Sequence, residues 1–283
     1  MIYRLLSWTS KNDAVMHRGK QHMDIQLADK TVFISGSTKG IGFAIAALCT
    51  HEGATVIING RHEEGVEAAV ARLCEQNPAA SARGIVADFA DVGQVDELLG
   101  RLGHVDVLIN NVGLFDVATF TEIDDAEWLR YLEINLMSAV RLSRRLLPQM
   151  LENGWGRIVF IGTESAVDIP GDMIHYGATK AATLALSNGL AKLTRGTEVT
   201  VNTVLGGPTY SDGVASTVGQ IAAAQSVSAA DLRDSLIRET SLLQRFIEPA
   251  EIASLVAYLA SPLSSATNGA ALRVDGGVLP TVV

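Results

Sequence analysis

The 283-residue chain has the bulk composition of one α/β domain. Its residues are 48% apolar and 5% aromatic, with 26 glycines, which excludes the composition of a disordered protein. The net charge of −9 and the pI near 5.1 argue against nucleic acid or an anionic membrane as a main partner, because both bind basic surfaces.

Residues 1–22 precede the first globular pattern. Their apolar run is too short for a signal peptide or a membrane span, so we expect a disordered extension over 1–22 and one domain over 23–283. Cys49 and Cys74 both fall in apolar helical patterns, which predicts buried free thiols rather than a disulfide or a metal site. We therefore expect a cytoplasmic protein without a bound metal.

Short aliphatic runs, predicted to be strands, alternate along the chain with stretches of helical period. The predicted strands are Thr31–Ser35, Thr55–Asn59, Arg83–Ala87, Val105–Asn110, Arg157–Ile161, Val199–Val204 and Ala271–Val274. The predicted helices are Ile41–His51, Glu63–Glu75, Val92–Leu102, Ala126–Leu151, Tyr176–Thr194 and Pro249–Leu259.

Strands this apolar are typical of a parallel sheet covered by helices on both faces. The alternation predicts a single-domain, Rossmann-type, doubly wound α/β fold with about seven parallel strands. Ligands bind such folds beyond the carboxyl ends of the strands. The irregular stretch Gly206–Arg245, which begins with a Gly/Pro/Ser-rich turn, is predicted to be a mobile flap.

A glycine-rich loop follows the first strand and leads into an apolar helix. Its glycines allow a tight turn and a close approach to a pyrophosphate, whose charge the free N–H groups at the helix start would meet. The spacing Gly-x-x-x-Gly-x-Gly lies in the strand, loop and helix context that a dinucleotide site requires. The predicted cofactor-binding residues of this loop are Gly36, Ser37, Thr38, Lys39, Gly40, Ile41 and Gly42.

The end of the second strand indicates which dinucleotide binds. NAD-specific sites usually place a carboxylate there, whereas this chain has Asn59-Gly60-Arg61. Arg61 and Lys39 are both placed to meet a 2′-phosphate, which favours NADP(H), with NAD(H) as the alternative and a merely solvated Arg61 as the competing interpretation.

The next two strand ends carry residues suited to contact the adenine and its ribose, and either end is also compatible with an ordinary turn. These residues are Asp88, Phe89, Asn110, Asn111 and Gly113.

Tyr176 and Lys180 are four residues apart and share one face of a predicted helix. A phenol is a poor base at neutral pH, but a neighbouring ammonium favours the phenolate and lowers the pKa of the tyrosine. The pair is a candidate acid/base unit for alcohol and carbonyl chemistry, although such pairs also occur on solvated helix faces. Thr163 follows a strand, thirteen residues before Tyr176, and adds a hydroxyl.

From about Leu27 to Gly277 the chain resembles the short-chain dehydrogenase/reductase family, in the single-domain branch of 3-oxoacyl-carrier-protein reductase-like enzymes. The resemblance rests on the joint order of the loop Gly36–Gly42, Asn110–Gly113, Asn135, Tyr176 with Lys180, and the closing Val274–Gly277.

The resemblance implies that Tyr176 exchanges a proton with the substrate oxygen while hydride moves to or from the nicotinamide. It implies that Lys180 lowers the pKa of Tyr176 and holds the nicotinamide ribose, and that Asn135 binds a water of a proton relay. A hydroxyl at Thr163 would hydrogen-bond the substrate oxygen. The family usually has serine there, and Ser165 is the alternative source of that hydroxyl.

The loop after the sixth strand departs from the family's common Pro-Gly, since the chain reads Leu205-Gly206-Gly207-Pro208-Thr209. Gly207 and Thr209 are still predicted to contact the cofactor. Three further polar residues lie near Tyr176 and Lys180 in the sequence, and a catalytic or metal-binding role is disfavoured for each. His175 points to another helix face, and Glu164 and Asp168 are expected to be solvated in a loop.

The favoured function is NADP(H)-dependent interconversion of a secondary alcohol and a ketone that is at least partly apolar. A cofactor-sensing protein with impaired catalysis is the main alternative, and an epimerase or dehydratase on the same fold is a third. The resemblance also implies a homodimer or homotetramer, to which the apolar Val278–Val283 would contribute.

Overall fold

The computed structural model describes residues 24–225 and 227–282, so the predicted extension over 1–22 lies outside the described residues. The strands form one parallel sheet in the order β3-β2-β1-β4-β5-β6-β7, which confirms the predicted fold class. The strands are β1 (Thr31–Ile34), β2 (Thr55–Gly60), β3 (Ser81–Val86), β4 (Val107–Asn110), β5 (Trp155–Thr163), β6 (Glu198–Gly206) and β7 (Ala271–Val274).

Helices cover both faces of the sheet. The helices are α1 (Gly40–His51), α2 (Glu63–Gln76), α3 (Val92–Arg101), α4 (Asp125–Tyr131), α5 (Ser138–Glu152), α6 (Ile174–Leu193), α7 (Asp212–Gln225), α8 (Ala229–Ser235) and α9 (Pro249–Ala260).

The core is split by the sheet into two layers because successive strand residues face opposite sides. In β1, Val32 and Ile34 pack in the layer that holds α1, α2 and α9, while Phe33 packs with α3, α5 and α6 on the other side. All three side chains are fully buried. This double burial is the physical reason why the strands read as continuous aliphatic runs.

Three features differ from the expectations. The predicted single helix Ala126–Leu151 is interrupted by a π-helical turn, Leu132–Met137, between α4 and α5. The segment after β6 is more regular than predicted, because it contains α7 and α8. Cys49 is buried as expected, but the prediction was wrong for Cys74, which lies on the solvent side of α2.

The order of the strands places the site. The chain leaves β1 towards β2 on one side, and β4 pairs with the other side of β1, so a crevice opens between the ends of β1 and β4. Asn111 closes the bottom of this crevice, because its side-chain amide donates to the main-chain oxygens of Ser35 at 3.0 Å and Gly36 at 2.7 Å.

Candidate active site

One cavity of about 530 Å³ runs along the carboxyl edge of the sheet. It begins at the glycine-rich loop after β1, passes the ends of β2, β3 and β4, and reaches the end of β5 and the segment after β6. Tyr176 and Lys180 line the same cavity as Gly36 and Gly42. The predicted dinucleotide loop and the predicted acid/base pair are therefore parts of one site.

The glycine-rich loop has no room for side chains at its turn. Gly36 and Gly40 have φ angles of +62° and +59°, which L side chains rarely adopt. A Cβ on Gly42 would lie 2.5 Å from the main-chain oxygen of Gly36 and 2.6 Å from Nδ2 of Asn111. The turn is thus held against β4, and Gly36, Gly40 and Gly42 line the cavity. These residues fit a dinucleotide pyrophosphate.

The second strand supplies the part of the cavity suited to the adenosine. Arg61 and Lys39 both line it and are exposed, and the described lining contains no carboxylate from the end of β2. Asp88 and Phe89 line the same end, and Oδ1 of Asp88 accepts the Ala90 N–H at 3.0 Å. This end of the cavity therefore carries two exposed cations and the carboxylate of Asp88.

Two predicted cofactor contacts point away from the cavity. Ser37 is fully buried, donating to Ile34 O at 2.7 Å and accepting from Asn59 N at 3.0 Å, so it braces β1 against β2. Asn110 is buried below the sheet edge and donates to Ser143 Oγ at 3.3 Å. Neither side chain lines the cavity, whereas Thr38, Ile41, Asn111, Gly113, Gly207 and Thr209 do.

Lys180 reaches from α6 to the sheet. Its side chain is 6% exposed, its Nζ donates to Ile161 O at 3.1 Å, and a Cβ on Gly113 would lie 3.0 Å from Nζ. Burial lowers the pKa of Lys180 to about 8. Gly113 is therefore the residue at the end of β4 that leaves space for the ammonium.

Tyr176 lies one turn before Lys180 on α6. Burial raises the pKa of its phenol, and the charges of Glu164 and Tyr131 act in the same direction, while a hydrogen bond with Thr163 lowers it. The sequence suggested a lowered value from the neighbouring ammonium. In the structure the ammonium is engaged with Ile161 O, and burial dominates.

Asn135 lies in the π-helical turn and fixes the loop after β4. Its Oδ1 accepts from Leu114 N at 2.6 Å, and its Nδ2 donates to Leu114 O and to Thr179 Oγ1, both at 3.0 Å. The side chain does not line the cavity. A water relay at Asn135 stays a prediction, and it would have to use the main chain because the side-chain amide is engaged.

Thr163 and Ser165 both line the cavity, and both donate to the carboxylate of Glu164. The distances are 2.6 Å from Thr163 Oγ1 and 3.1 Å from Ser165 Oγ. Of the two hydroxyls, Thr163 is the one that acts on the pKa of Tyr176, which it lowers. The expectation that Glu164 is solvated was wrong, because it is 3% exposed and forms an ion pair with Arg238 at 3.2 Å.

The other polar neighbours are placed as expected. Asp168 is exposed. His175 is buried outside the cavity, with its ring centroid 4.1 Å from that of Tyr131. In the part of the chain that the structure describes, no group of three or more His, Cys, Asp or Glu side chains is arranged to hold a metal ion, and no helix is long and apolar enough to cross a membrane.

The sequence reasoning missed Ser211, Asp212 and Arg238, which come from the segment after β6. Ser211 lines the cavity opposite Gly40, where a Cβ on Gly40 would lie 3.5 Å from Ser211 Cβ. Asp212 accepts the Gly40 N–H at 2.8 Å. Ser211 and Asp212 lie a few residues beyond a strand end, where ligand-binding residues of this fold occur, whereas Arg238 follows α8 and carried no such sequence signal.

Comparison with known proteins agrees with this geometry. The family model described as enoyl-(acyl carrier protein) reductase matches residues 36–279. The chain belongs to the short-chain dehydrogenase/reductase family. It is 43% identical to the uncharacterized oxidoreductase YvaG of Bacillus subtilis, covering 92% of this chain and 100% of that protein. It is 30% identical to the 3-oxoacyl-[acyl-carrier-protein] reductase FabG of Aquifex aeolicus, covering 90% and 100%.

Solved structures of the family share the whole fold. The L-sorbose reductase of Gluconobacter frateurii, complexed with NADPH and L-sorbose, superposes with a TM-score of 0.87 at 30% identity, covering 92% of this chain and 100% of that chain. An actinorhodin polyketide ketoreductase with NADPH gives 0.80 at 31% identity, covering 88% and 97%. The protein is thus an NAD(P)-dependent short-chain dehydrogenase/reductase.

Proposed function

We propose that this short-chain dehydrogenase/reductase interconverts a secondary alcohol and a ketone with NADP(H), and that Tyr176 is its general acid and base. The observation that carries the proposal is that Tyr176, Lys180 and the Thr163 hydroxyl meet in the cavity that begins at the glycine-rich loop. A bound nicotinamide dinucleotide supplies or accepts the hydride.

The chain's own residues then handle the substrate oxygen. In ketone reduction the neutral phenol of Tyr176 donates its proton to the carbonyl oxygen, and in alcohol oxidation the phenolate takes the hydroxyl proton. The raised pKa of the phenol means that Tyr176 starts as an acid in the free protein. Lys180 is buried one helical turn from Tyr176 and is placed to stabilise the phenolate, and the Thr163 hydroxyl is placed to accept a hydrogen bond from the alcohol.

Three residues support a preference for NADP(H). Arg61 and Lys39 place two exposed cations at the adenosine end of the cavity. Asn59 lies at the same end, and its Oδ1 already accepts the Gly36 N–H at 3.0 Å. A 2′-phosphate gains charge-assisted hydrogen bonds from such cations. Two of the solved relatives contain NADPH.

The direct test is a screen of purified protein against a panel of neutral secondary alcohols and ketones, with NADP(H) and NAD(H) in parallel. We expect turnover of at least one substrate, with higher kcat/KM for NADP(H). Tight cofactor binding without turnover of any panel member would contradict the proposal and favour the cofactor-sensing alternative. Retention of Tyr176, Lys180 and Thr163 in one cavity argues against that alternative.

We also propose a cytoplasmic homodimer or homotetramer. Leu129 on α4 and Leu193 on α6 are 65% and 62% exposed, which fits contacts between copies. Val278 and Leu279 are already buried within the chain, whereas Val282 is exposed and free to contribute. Light scattering on the purified protein tests this, and a monomer would contradict it.

A further inference from the structure

Glu164 is a buried carboxylate that the proton-transfer mechanism does not use. It follows Thr163 directly, at the start of a short 3-10 turn over 164–166, and it is 3% exposed. Burying a carboxylate costs several kcal/mol unless hydrogen bonds and a counter-charge replace its hydration. We therefore expect the buried carboxylate of Glu164 to have a function at the site, beside the hydroxyl of Thr163.

The hydrogen bonds around Glu164 fix the direction of the Thr163 hydroxyl. A threonine hydroxyl has one proton and two lone pairs. The proton points to Glu164 Oε2 at 2.6 Å, and one lone pair accepts the Ser165 N–H at 3.2 Å. One lone pair remains, and Thr163 and Tyr176 line the same cavity. While Glu164 is ionised, Thr163 therefore has one acceptor site left, which can take a hydrogen bond either from the phenol of Tyr176 or from a substrate hydroxyl.

The counter-charge of Glu164 comes from the segment after β6. Arg238, just beyond α8, places its NH2 group 3.2 Å from Glu164 Oε1, and its side chain is 34% exposed. The buried ammonium of Lys180 donates to Ile161 O instead. The ion pair joins the active-site turn to the covering segment, and both residues line the substrate end of the cavity.

We propose that Glu164 is a positioning residue that orients the Thr163 hydroxyl, and that Arg238 balances its charge from the covering segment so that Tyr176 can give up its proton. This role rests on the proposed alcohol and ketone chemistry. The charged and titratable groups that face Tyr176 are Glu164 from the turn, Tyr131 from α4, Lys180 from α6 and Arg238 from the segment after α8.

The two charges should shift the ionisation of Tyr176 in opposite directions. The negative charge of Glu164 raises the pKa of Tyr176, so Glu164→Gln should lower it. Removing the positive charge of Arg238 should raise it further. In alcohol oxidation the phenolate is the active form, and the acidic limb of the kcat/KM profile reports this ionisation.

The experiment is a pH profile of alcohol oxidation for wild type, Glu164→Gln, Arg238→Met, Arg238→Lys and the Glu164→Gln/Arg238→Met double variant. Glu239→Gln and Arg233→Met are matched controls from the same segment, because neither residue lines the cavity. We expect the limb to move down by about one pH unit in Glu164→Gln and up by a similar amount in Arg238→Met. Arg238→Lys keeps the positive charge, so its limb should lie close to that of the wild type.

The controls should keep the wild-type profile, and the double variant should lie between the single variants. If Glu164→Gln does not fold, the contrast between Arg238→Met, whose limb should move up, and Arg238→Lys, whose limb should stay near that of the wild type, still decides. One contrary result is an active wild type with an Arg238→Met variant that loses rate without any displacement of its limb. That result would overturn the proposed role of Glu164 and Arg238 and leave the proposed alcohol and ketone chemistry intact. A wild type that oxidises no alcohol would overturn the function and this role together.

Discussion

The ammonium of Lys180 donates to the main-chain oxygen of Ile161 at 3.1 Å, which ties the middle of α6 to the end of β5. This contact brings Tyr176, one turn earlier, over the point where Thr163 ends the strand. The contact also buries the ammonium of Lys180, and a buried ammonium makes the free energy of unfolding depend on pH.

The first prediction concerns the pH dependence of folding. Lowering the pKa of Lys180 from 10.5 to about 8 corresponds to about 3 kcal/mol, because the folded state disfavours the charged form. Between pH 8 and 10.5 the unfolded chain binds more protons at this site, so its contribution to the free energy of unfolding rises with pH. Lys180→Met should be more stable than wild type at pH 7, by up to about 3 kcal/mol.

Urea unfolding from pH 7 to 9 measures this difference. It should shrink as pH rises above 8, and the exposed Lys192→Met on the same helix should show no such trend. Comparison with wild type at each pH is needed because burial raises the pKa of Cys49 to about 12, which lowers stability above pH 9. A difference that does not change with pH would contradict a buried, depressed Lys180.

A second prediction concerns the choice of cofactor. Arg61→Ala should lower kcat/KM for NADP(H) at least about tenfold and change that for NAD(H) less than about twofold, because only the 2′-phosphate is lost as a partner. Arg101→Ala, exposed at the end of α3 and outside this cavity, is the control. Unchanged NADP(H) kinetics in Arg61→Ala would refute the assignment.

A third prediction concerns the glycine-rich loop. Gly42→Ala should weaken dinucleotide binding at least about tenfold, because its Cβ would meet Gly36 O at 2.5 Å and displace the turn. Gly65→Ala on α2 is the matched control, since nothing lies within 4 Å of its Cβ position. Cofactor titration by fluorescence measures both. Full affinity in Gly42→Ala would mean that the turn does not hold the cofactor.

The fold was largely readable from the sequence because the inner strands are buried on both faces and are therefore continuous aliphatic runs, whereas the edge strands β3 and β7 are only partly buried. The site was readable only where local spacing carries it, as for Tyr176 and Lys180. Sequence does not show which way a side chain leaves a turn, so it did not predict that the side chains of Ser37 and Asn110 lie outside the cavity lining. Their contact with a cofactor stays a prediction. Glu164 looked like a loop residue because its partner, Arg238, lies far along the chain.

A fourth prediction ranks the two hydroxyls. Thr163→Val should lower kcat about a hundredfold while Thr163→Ser keeps most of it, because serine preserves the hydroxyl that bonds Tyr176. Ser165→Ala should lower kcat less than about threefold, since its hydroxyl contacts Glu164. Steady-state kinetics on the best panel substrate measures all three. A larger loss in Ser165→Ala than in Thr163→Val would reverse the assignment.

The central claim is that Tyr176 carries the proton, and one comparison tests it most directly. Tyr176→Phe removes the phenolic oxygen and keeps the ring, including its edge contact with Phe115 at 6.3 Å between centroids. We predict that kcat/KM for alcohol oxidation falls by about 10²- to 10⁴-fold, while the Kd of NADP(H) changes less than about threefold. Wild-type activity in Tyr176→Phe would contradict the account.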